Sequence, residues 1–161
     1  GGFLRHLLAP DEAALLDRAA SFTESTIRPN AAAWERERRQ PVEALRESAS
    51  LGLLRLETPK PQGGLGQRYL VKLALCEEMS RADMAFTFAM VNTQNVAARL
   101  ALSPNTHHRD THVPALMLGE IFGATALSEP GAGSDFSSIR TSAQKADGGW
   151  RLARLGKFVL S

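Results

Sequence analysis

From residue 10 to residue 118 the apolar side chains recur at helical spacing, and at Gly119 that rhythm stops. A helical period puts every third or fourth residue on one face, whereas strands alternate, so the two halves of this chain cannot share one architecture. Pro10 and Asp11 suit a first turn, where proline loses no needed donor and a carboxylate meets the helix dipole. Leu15, Ala19, Phe22 and Thr26 carry the first helix onward. Arg28-Pro29 reads as an interruption, with a second helix from Asn30 to Arg39. A third starts at Pro41, turns Val42, Leu45 and Ala49 inward, and stops at Gly52, a C′ glycine. Residues 57–66 (ETPKPQGGLG) form a loop by composition. Helix four spans Tyr69 to Arg81 and buries Leu70, Leu73 and Ala74. Asp83 caps helix five, whose Phe86, Phe88, Met90 and Val91 make it apolar almost all round, the mark of a central helix in a bundle. Ser103 or Asn105 caps a last helix reaching Leu118.

Beyond Gly119 the pattern favours short strands: Phe122 to Ser128, Ile139 to Ala146, Trp150 to Leu155 and Phe158 to Leu160, with a turn at Asp147-Gly148-Gly149. The chain therefore divides into a helical domain over 1–119 and the opening of a β domain over 120–161. Its 161 residues include 19 basic and 17 acidic ones, interspersed. That balance gives no cause to expect nucleic acid or a membrane surface as partner. No stretch approaches the ~18 apolar residues that cross a bilayer, and no apolar leader follows a charged start. Cys76 is the single cysteine, so no internal disulfide forms, and a cytoplasmic location is expected. Gly1 and Ser161 look like cut ends, and the reading expects a fragment.

Chemistry-bearing residues are few. His107, His108 and His112 suggest a metal, since His108 and His112 lie one helical turn apart, but no third ligand for that pair and no Glu-bearing helix motif is evident, and exposed helix residues are the expectation. Glu77 and Glu78 point about 100° apart on a helix and cannot share a substrate. Cys76 lacks a histidine partner and is read as packing. Asn92-Thr93-Gln94-Asn95 is an amide-rich run inside an apolar helix. Buried amides need partners, so these residues either bond to neighbouring helices or line a cavity. The remaining candidate is ALSEPGAGSD, residues 126–135, at the seam of the two patterns. Gly131 and Gly133 permit close approach to the main chain, its amides can meet an anion, and Ser128 and Ser134 offer donors and acceptors. Composition alone leaves a plain turn and a ligand loop both open. It is neither a dinucleotide fingerprint, with Phe136 at the third glycine position, nor a phosphate loop with its Gly-Lys-Ser/Thr.

These residues resemble the acyl-CoA dehydrogenase family. ALSEPGAGSD is similar to that family's flavin-contacting signature. Gly52-Leu53-Leu54 with Pro61-Gln62-Gly63-Gly64-Leu65-Gly66, then Cys76 to Asp83, and Lys157 to Ser161, resemble further family segments in the right order. The resemblance implies an α+β chain: an N-terminal all-α helical bundle followed by the first strands of a β-barrel-like middle domain, with a C-terminal bundle lying elsewhere. It implies FAD as cofactor, with Thr125, Leu127 and Ser128 beside the flavin ring, Gly133 and Ser134 by the pyrophosphate, and Val159, Leu160 and Ser161 as the ring site's other wall. Ser134 would also approach the thioester, and Asn92 and Asn95 would line the acyl end of the substrate site. The partners implied are an acyl-CoA and an electron-transfer flavoprotein or similar acceptor, in a homotetramer or homodimer serving fatty acid metabolism.

Some positions depart from the family. Gln62 replaces a tyrosine, and Ala153-Arg154-Leu155-Gly156 stands in place of an Asn-Gly turn, with one residue more. No residue is assigned as catalytic, because the family's carboxylate base belongs to the C-terminal domain, and the chain alone is expected to be inactive. The polar Asn92 and Asn95 lead to the expectation of a polar, short or ring-bearing acyl group. A flavin monooxygenase or acyl-CoA oxidase of the same architecture, and a non-catalytic helical module, are the alternative readings.

Overall fold

The computed structural model describes residues 3–153, and the chain forms two compact units that part between Gly123 and Ala124. The first unit is helical: α1 (Pro10–Phe22), α2 (Arg28–Glu37), α3 (Val42–Ser50), α4 (Tyr69–Ser80), α5 (Met84–Ala101) and α6 (Thr106–Met117). The second holds one antiparallel hairpin, β1 (Ser142–Ala146) and β2 (Gly149–Ala153), in register from Ser142 opposite Ala153 to Ala146 opposite Gly149. The chain is thus α+β in the order that the sequence pattern implied.

The core of the helical unit gathers on α5. Phe86 lies 5.9 Å from the Phe22 ring and 5.8 Å from the Trp34 ring, which stacks on it. Leu45, Leu53, Leu54, Leu56, Val71, Leu75, Met79 and Met90 are buried in the same cluster. Burial of this kind contributes about 1.5–3 kcal/mol per large apolar side chain. A smaller cluster of Ala97, Ala101, Val113, Leu116 and Met117 joins α5 to α6. Caps fall where polar residues precede apolar runs. Asp83 accepts from Phe86 N at 2.9 Å, and Asn105 accepts from His108 N at 3.3 Å.

Four expectations need correction. Arg28-Pro29 does not interrupt the helix. Residues Thr23–Ile27 form a wider turn of π type, in which Arg28 N donates to Thr23 O, and α1 continues into α2. Pro29 lacks an N–H, and its ring would crowd the carbonyl one turn back in a regular helix; the widened turn relieves that conflict. Second, α5 is not covered all round: Met84 is 66% and Phe88 45% exposed. Third, α4 buries Lys72 where Leu73 was expected inside, and Leu73 is exposed. The helix is rotated because Lys72 finds polar partners in the interior, as described below. Fourth, no strand forms over 122–128.

The loop between α3 and α4 is fixed by backbone geometry. Gly66 N donates to Thr58 O at 3.0 Å, Leu65 N to Arg55 O at 2.9 Å, and Gln67 N to Leu56 O at 2.8 Å. Gly64 is pressed so tightly there that a Cβ would lie 1.7 Å from Thr58 O, which excludes any side chain. This locates the physical demand behind the Gly63-Gly64 pair. At the chain's start, Glu12 receives Ala9 N at 2.8 Å and a two-pronged contact from Arg68, both at 2.7 Å. That contact ties the first turn of α1 to the residue preceding α4.

Arg68, with help from the Ala9 amide, holds the Glu12 carboxyl at about 2, below its usual 4.5. A depressed folded value contributes stability that is complete above the unfolded value and lost as pH falls through the folded one. The melting-temperature gap between the native protein and Glu12→Gln, present near neutral pH, is therefore expected to close between about 4.5 and about 2. A gap that stays constant over that range would show that no shifted carboxyl exists.

Candidate functional site

The 126–135 loop uses its two carboxylates to tie itself to residues 137–141. Glu129 accepts from Arg140 N at 2.9 Å and Thr141 N at 2.7 Å, and also from the Thr141 hydroxyl. Its own backbone forms a tight bridge with Ala132, N to O at 2.8 Å and 3.1 Å, around Pro130-Gly131. Asp135 accepts from Ser137 N at 3.0 Å and from the Ser137 and Ser138 hydroxyls, both at 2.5 Å. It thereby caps the short turn Phe136–Ser138. The Ser137 hydroxyl, then that of Ser138 and the Ser137 amide, holds the Asp135 carboxyl below the ordinary aspartate range. Both acids are thus structural anchors, a role that composition did not reveal because it depends on residues ten or more positions on in Glu129's case.

What remains faces outward. Thr125, Leu127, Ser128, Gly133 and Ser134 are all exposed. The amides of Leu127, Ser128, Gly133 and Ser134 and the hydroxyls of Thr125, Ser128 and Ser134 take no partner among the described residues. Neither Gly131 nor Gly133 occupies the left-handed region, and a Cβ at either would meet nothing within 4 Å. Gly64 is glycine because its own chain leaves no room; these two are glycine with room to spare. No neighbour among the described residues forces glycine at either position, and both leave the main chain open to close approach. The residues present therefore fit a planar cofactor with a pyrophosphate. Val159, Leu160 and Ser161 lie outside the described residues.

The second candidate group, Asn92 to Asn95 on α5, divides its labour. Thr93 donates to Ala89 O at 3.1 Å and accepts from Gly123 N at 3.2 Å, pinning the exit of the helical unit to α5. Gly123 lies so close there that a Cβ would be 2.6 Å from that of Val96. Gln94, buried, donates to Leu53 O at 2.7 Å. Asn95 Oδ1 accepts from Lys72 Nζ at 2.6 Å, and Lys72 also pairs with Glu57. Asn92 is half-buried and makes no side-chain hydrogen bond among the described residues. Thr93 and the Gln94 amide nitrogen follow the packing alternative; Gln94 Oε1, buried, and the outer polar atoms of Asn92 and Asn95 keep unused polar capacity among the described residues. Lys72 and Glu57 escaped the sequence reading; their only signal was a lysine one position off an apolar stripe.

Cys76 is half-buried, and burial pushes its thiol up, which suits packing. His108 and His112 stack at 5.8 Å, and no group of three metal-ligating side chains gathers among the described residues. No helix of the described residues is long and apolar enough to cross a membrane.

A helical unit built on α5 is followed by the 126–135 loop and the hairpin β1–β2, an α+β arrangement. Residues 9–120 match the family described as acyl-CoA dehydrogenase, N-terminal domain, and the chain belongs to that family. It is similar to the mitochondrial isovaleryl-CoA dehydrogenase of Solanum tuberosum, 32% identical over 139 residues, covering 84% of this chain and 34% of that one. The benzylmalonyl-CoA dehydrogenase of Aromatoleum aromaticum is 31% identical over 144 residues, covering 89% and 38%. Among solved structures, butyryl-CoA dehydrogenase from Megasphaera elsdenii superposes with a TM-score of 0.79 at 25% identity, covering 90% of this chain and 39% of that one. The chain spans little more than a third of the length of the relatives it matches.

Glu129→Ala removes the acceptor for two amides and a hydroxyl. Amide exchange at Arg140 and Thr141 is expected to quicken at least about tenfold, while β1–β2 cross-strand amides keep their protection. Unchanged exchange at Arg140 and Thr141 would show that the carboxylate does not anchor the loop.

Proposed function

We propose that this chain is the N-terminal helical domain and the beginning of the middle β domain of an FAD-dependent acyl-CoA dehydrogenase, which converts an acyl-CoA thioester to its 2,3-enoyl form. The observation that carries the reading is the outward face of residues 126–135. Its two carboxylates are spent on anchoring, and its glycines and unpaired donors are left open. Gly133 and Ser134 would receive the FAD pyrophosphate on their amides and the Ser134 hydroxyl. Leu127 and Ser128 would lie along the ring, with Thr125 at its border and Val159, Leu160 and Ser161 opposite. Donors at Ser128 would stabilise negative charge developing on the ring, and they would need little reorganisation because the Glu129 and Asp135 anchors hold the loop in advance. When bound, FAD supplies the acceptor for the hydride that leaves the β-carbon.

Ser134 would also touch the thioester, and Asn92 and Asn95 the acyl end. The exposed Met84 and Phe88 on α5, and Trp150 and Leu152 on β2, are apolar surfaces of the sort that the rest of a longer protein covers. The carboxylate that removes the α-proton belongs to that remainder. Electrons would leave to an electron-transfer flavoprotein or similar acceptor, from a homotetramer or homodimer.

The test compares the 161-residue chain with the full-length protein containing it. The full-length protein is expected to carry flavin, to lose its visible absorbance on anaerobic addition of a saturated acyl-CoA, and to release the enoyl thioester. The 161-residue chain is expected to turn over none. Gly133→Leu in the full-length protein should weaken FAD retention by at least about tenfold, or ~1.4 kcal/mol. A full-length protein that binds no flavin, or whose flavin no acyl-CoA bleaches, would sink the proposal.

A further inference from the structure

The strongest unexplained feature is a charged group inside the helical unit. Lys72 is 4% exposed. Its Nζ donates to Glu57 and, at 2.6 Å, to Asn95 Oδ1. Glu57 belongs to the segment before the Gly63-Gly64 loop, Lys72 to α4 and Asn95 to α5, so three separate stretches converge. Interior ion pairs are a poor way to hold helices together. Desolvating both charges costs several kcal/mol, and apolar side chains of equal volume commonly do as well or better. What the pair does supply is orientation.

An ammonium has three donors and no acceptor. The atom of Asn95 that faces it must be the carbonyl oxygen, so the amide cannot flip. The Asn95 NH2 is thereby aimed away from Lys72, and it donates to no group among the described residues. Asn95 shares the incompletely covered face of α5 with Phe88 and Asn92. On that face the apolar Met84 and Phe88 give way to Asn92 and then to the fixed donor of Asn95. Glu57 balances the Lys72 charge, so the donor carries no net positive charge with it.

We propose that Asn95, oriented by Lys72 and Glu57, reads a neutral oxygen acceptor on the acyl group, such as a ketone or hydroxyl, and so sets the substrate class as oxygen-bearing acyl-CoA thioesters. This rests on the reading of the chain as part of an acyl-CoA dehydrogenase with Asn95 at the acyl end. Asn95 is the specificity-determining contact, and Lys72 and Glu57 are positioning residues. A carboxylate is a poorer occupant, because Glu57 cancels the attraction that Lys72 alone would exert. A plain hydrocarbon chain is poorer too, because it would desolvate the NH2 and leave it unpaired.

The experiment uses the full-length flavin-loaded protein and thioesters matched in chain length: the hydrocarbon, its keto and hydroxy analogues at successive positions, and the dicarboxylic analogue. A keto or hydroxy thioester is expected to have the highest kcat/KM. Asn95→Leu should lower the ratio of that value to the hydrocarbon's by about tenfold, chiefly through KM. The double variant Glu57→Gln with Lys72→Met, which removes both charges and leaves no unpaired one, should lower the same ratio in the same way. A merely structural loss would depress all substrates together. Preference for the hydrocarbon or the dicarboxylic thioester, or a ratio unmoved by Asn95→Leu, overturns this inference alone. Turnover of none of the thioesters by the native protein overturns it together with the reading on which it rests.

Discussion

Burial of one face of α5 organises the helical unit. Phe86 receives the rings of Phe22 and Trp34, which fixes the long helix running through α1 and α2 against it. Four residues beyond, Met90 lies wholly in the core. Gln94, another turn on, reaches the Leu53 carbonyl and secures the segment after α3, while Thr93 takes the amide of Gly123 where the unit ends. The spacing of these contacts follows the helical period, so one rigid rod sets the positions of segments that are far apart in sequence. That rigidity matters to any ligand met by the opposite face. A donor carried on a packed helix is held more precisely than one on a loop, because its position is set by many contacts.

In the second unit the same need for precision is met without a core. The hairpin β1–β2 is exposed along most of its length, and a two-stranded ribbon alone is marginal. The loop before it instead gains order from ionised acceptors. Glu129 and Asp135 each gather at least three donors among the described residues. Charge-assisted bonds of this kind are about twice as strong as neutral ones, which suits a loop with no core of its own. The two kinds of glycine make the contrast. Gly64 is enforced from within by Thr58, and Gly133 is not enforced by anything among the described residues.

Much of this was legible beforehand. The boundaries of α4 and α6 and the caps Asp83 and Asn105 follow from local pattern, because helix ends are decided by residues within a turn of them. The hairpin and its Asp147-Gly148 turn, with Gly148 at φ 78°, follow for the same reason. Proline at 29 misled, since a break and a widened turn look identical in sequence and differ only in whether the flanking helices share a core. The stretch 122–128 misled because strand-like residues become a strand only when a neighbouring strand pairs with them. Lys72 misled because its burial depends on Glu57 and Asn95, 15 and 23 residues away. The openness of the 126–135 loop was legible, whereas the anchoring role of its acids was not. Exposure and small size are local properties, and hydrogen-bond partners across a turn are not.

The polar run on α5 shows why a buried amide cannot be assigned a role from composition. Four consecutive residues point to all sides of a helix, at about 100° from one to the next. Thr93 and the Gln94 amide nitrogen meet main-chain groups of the unit itself, so that part of their polarity serves the fold, while Gln94 Oε1 is buried with no partner among the described residues. Asn95 faces an ammonium that fixes it, and Asn92 faces none of the described polar groups. A packing role ends at the point where a donor or acceptor is left over and its orientation is nonetheless enforced. Stability alone would have favoured an apolar residue at 72, since the ion pair must overcome the loss of water around both charges. The leftover donor of Asn95, set by a costly interior pair, is one place where the demands of folding stop accounting for the sequence.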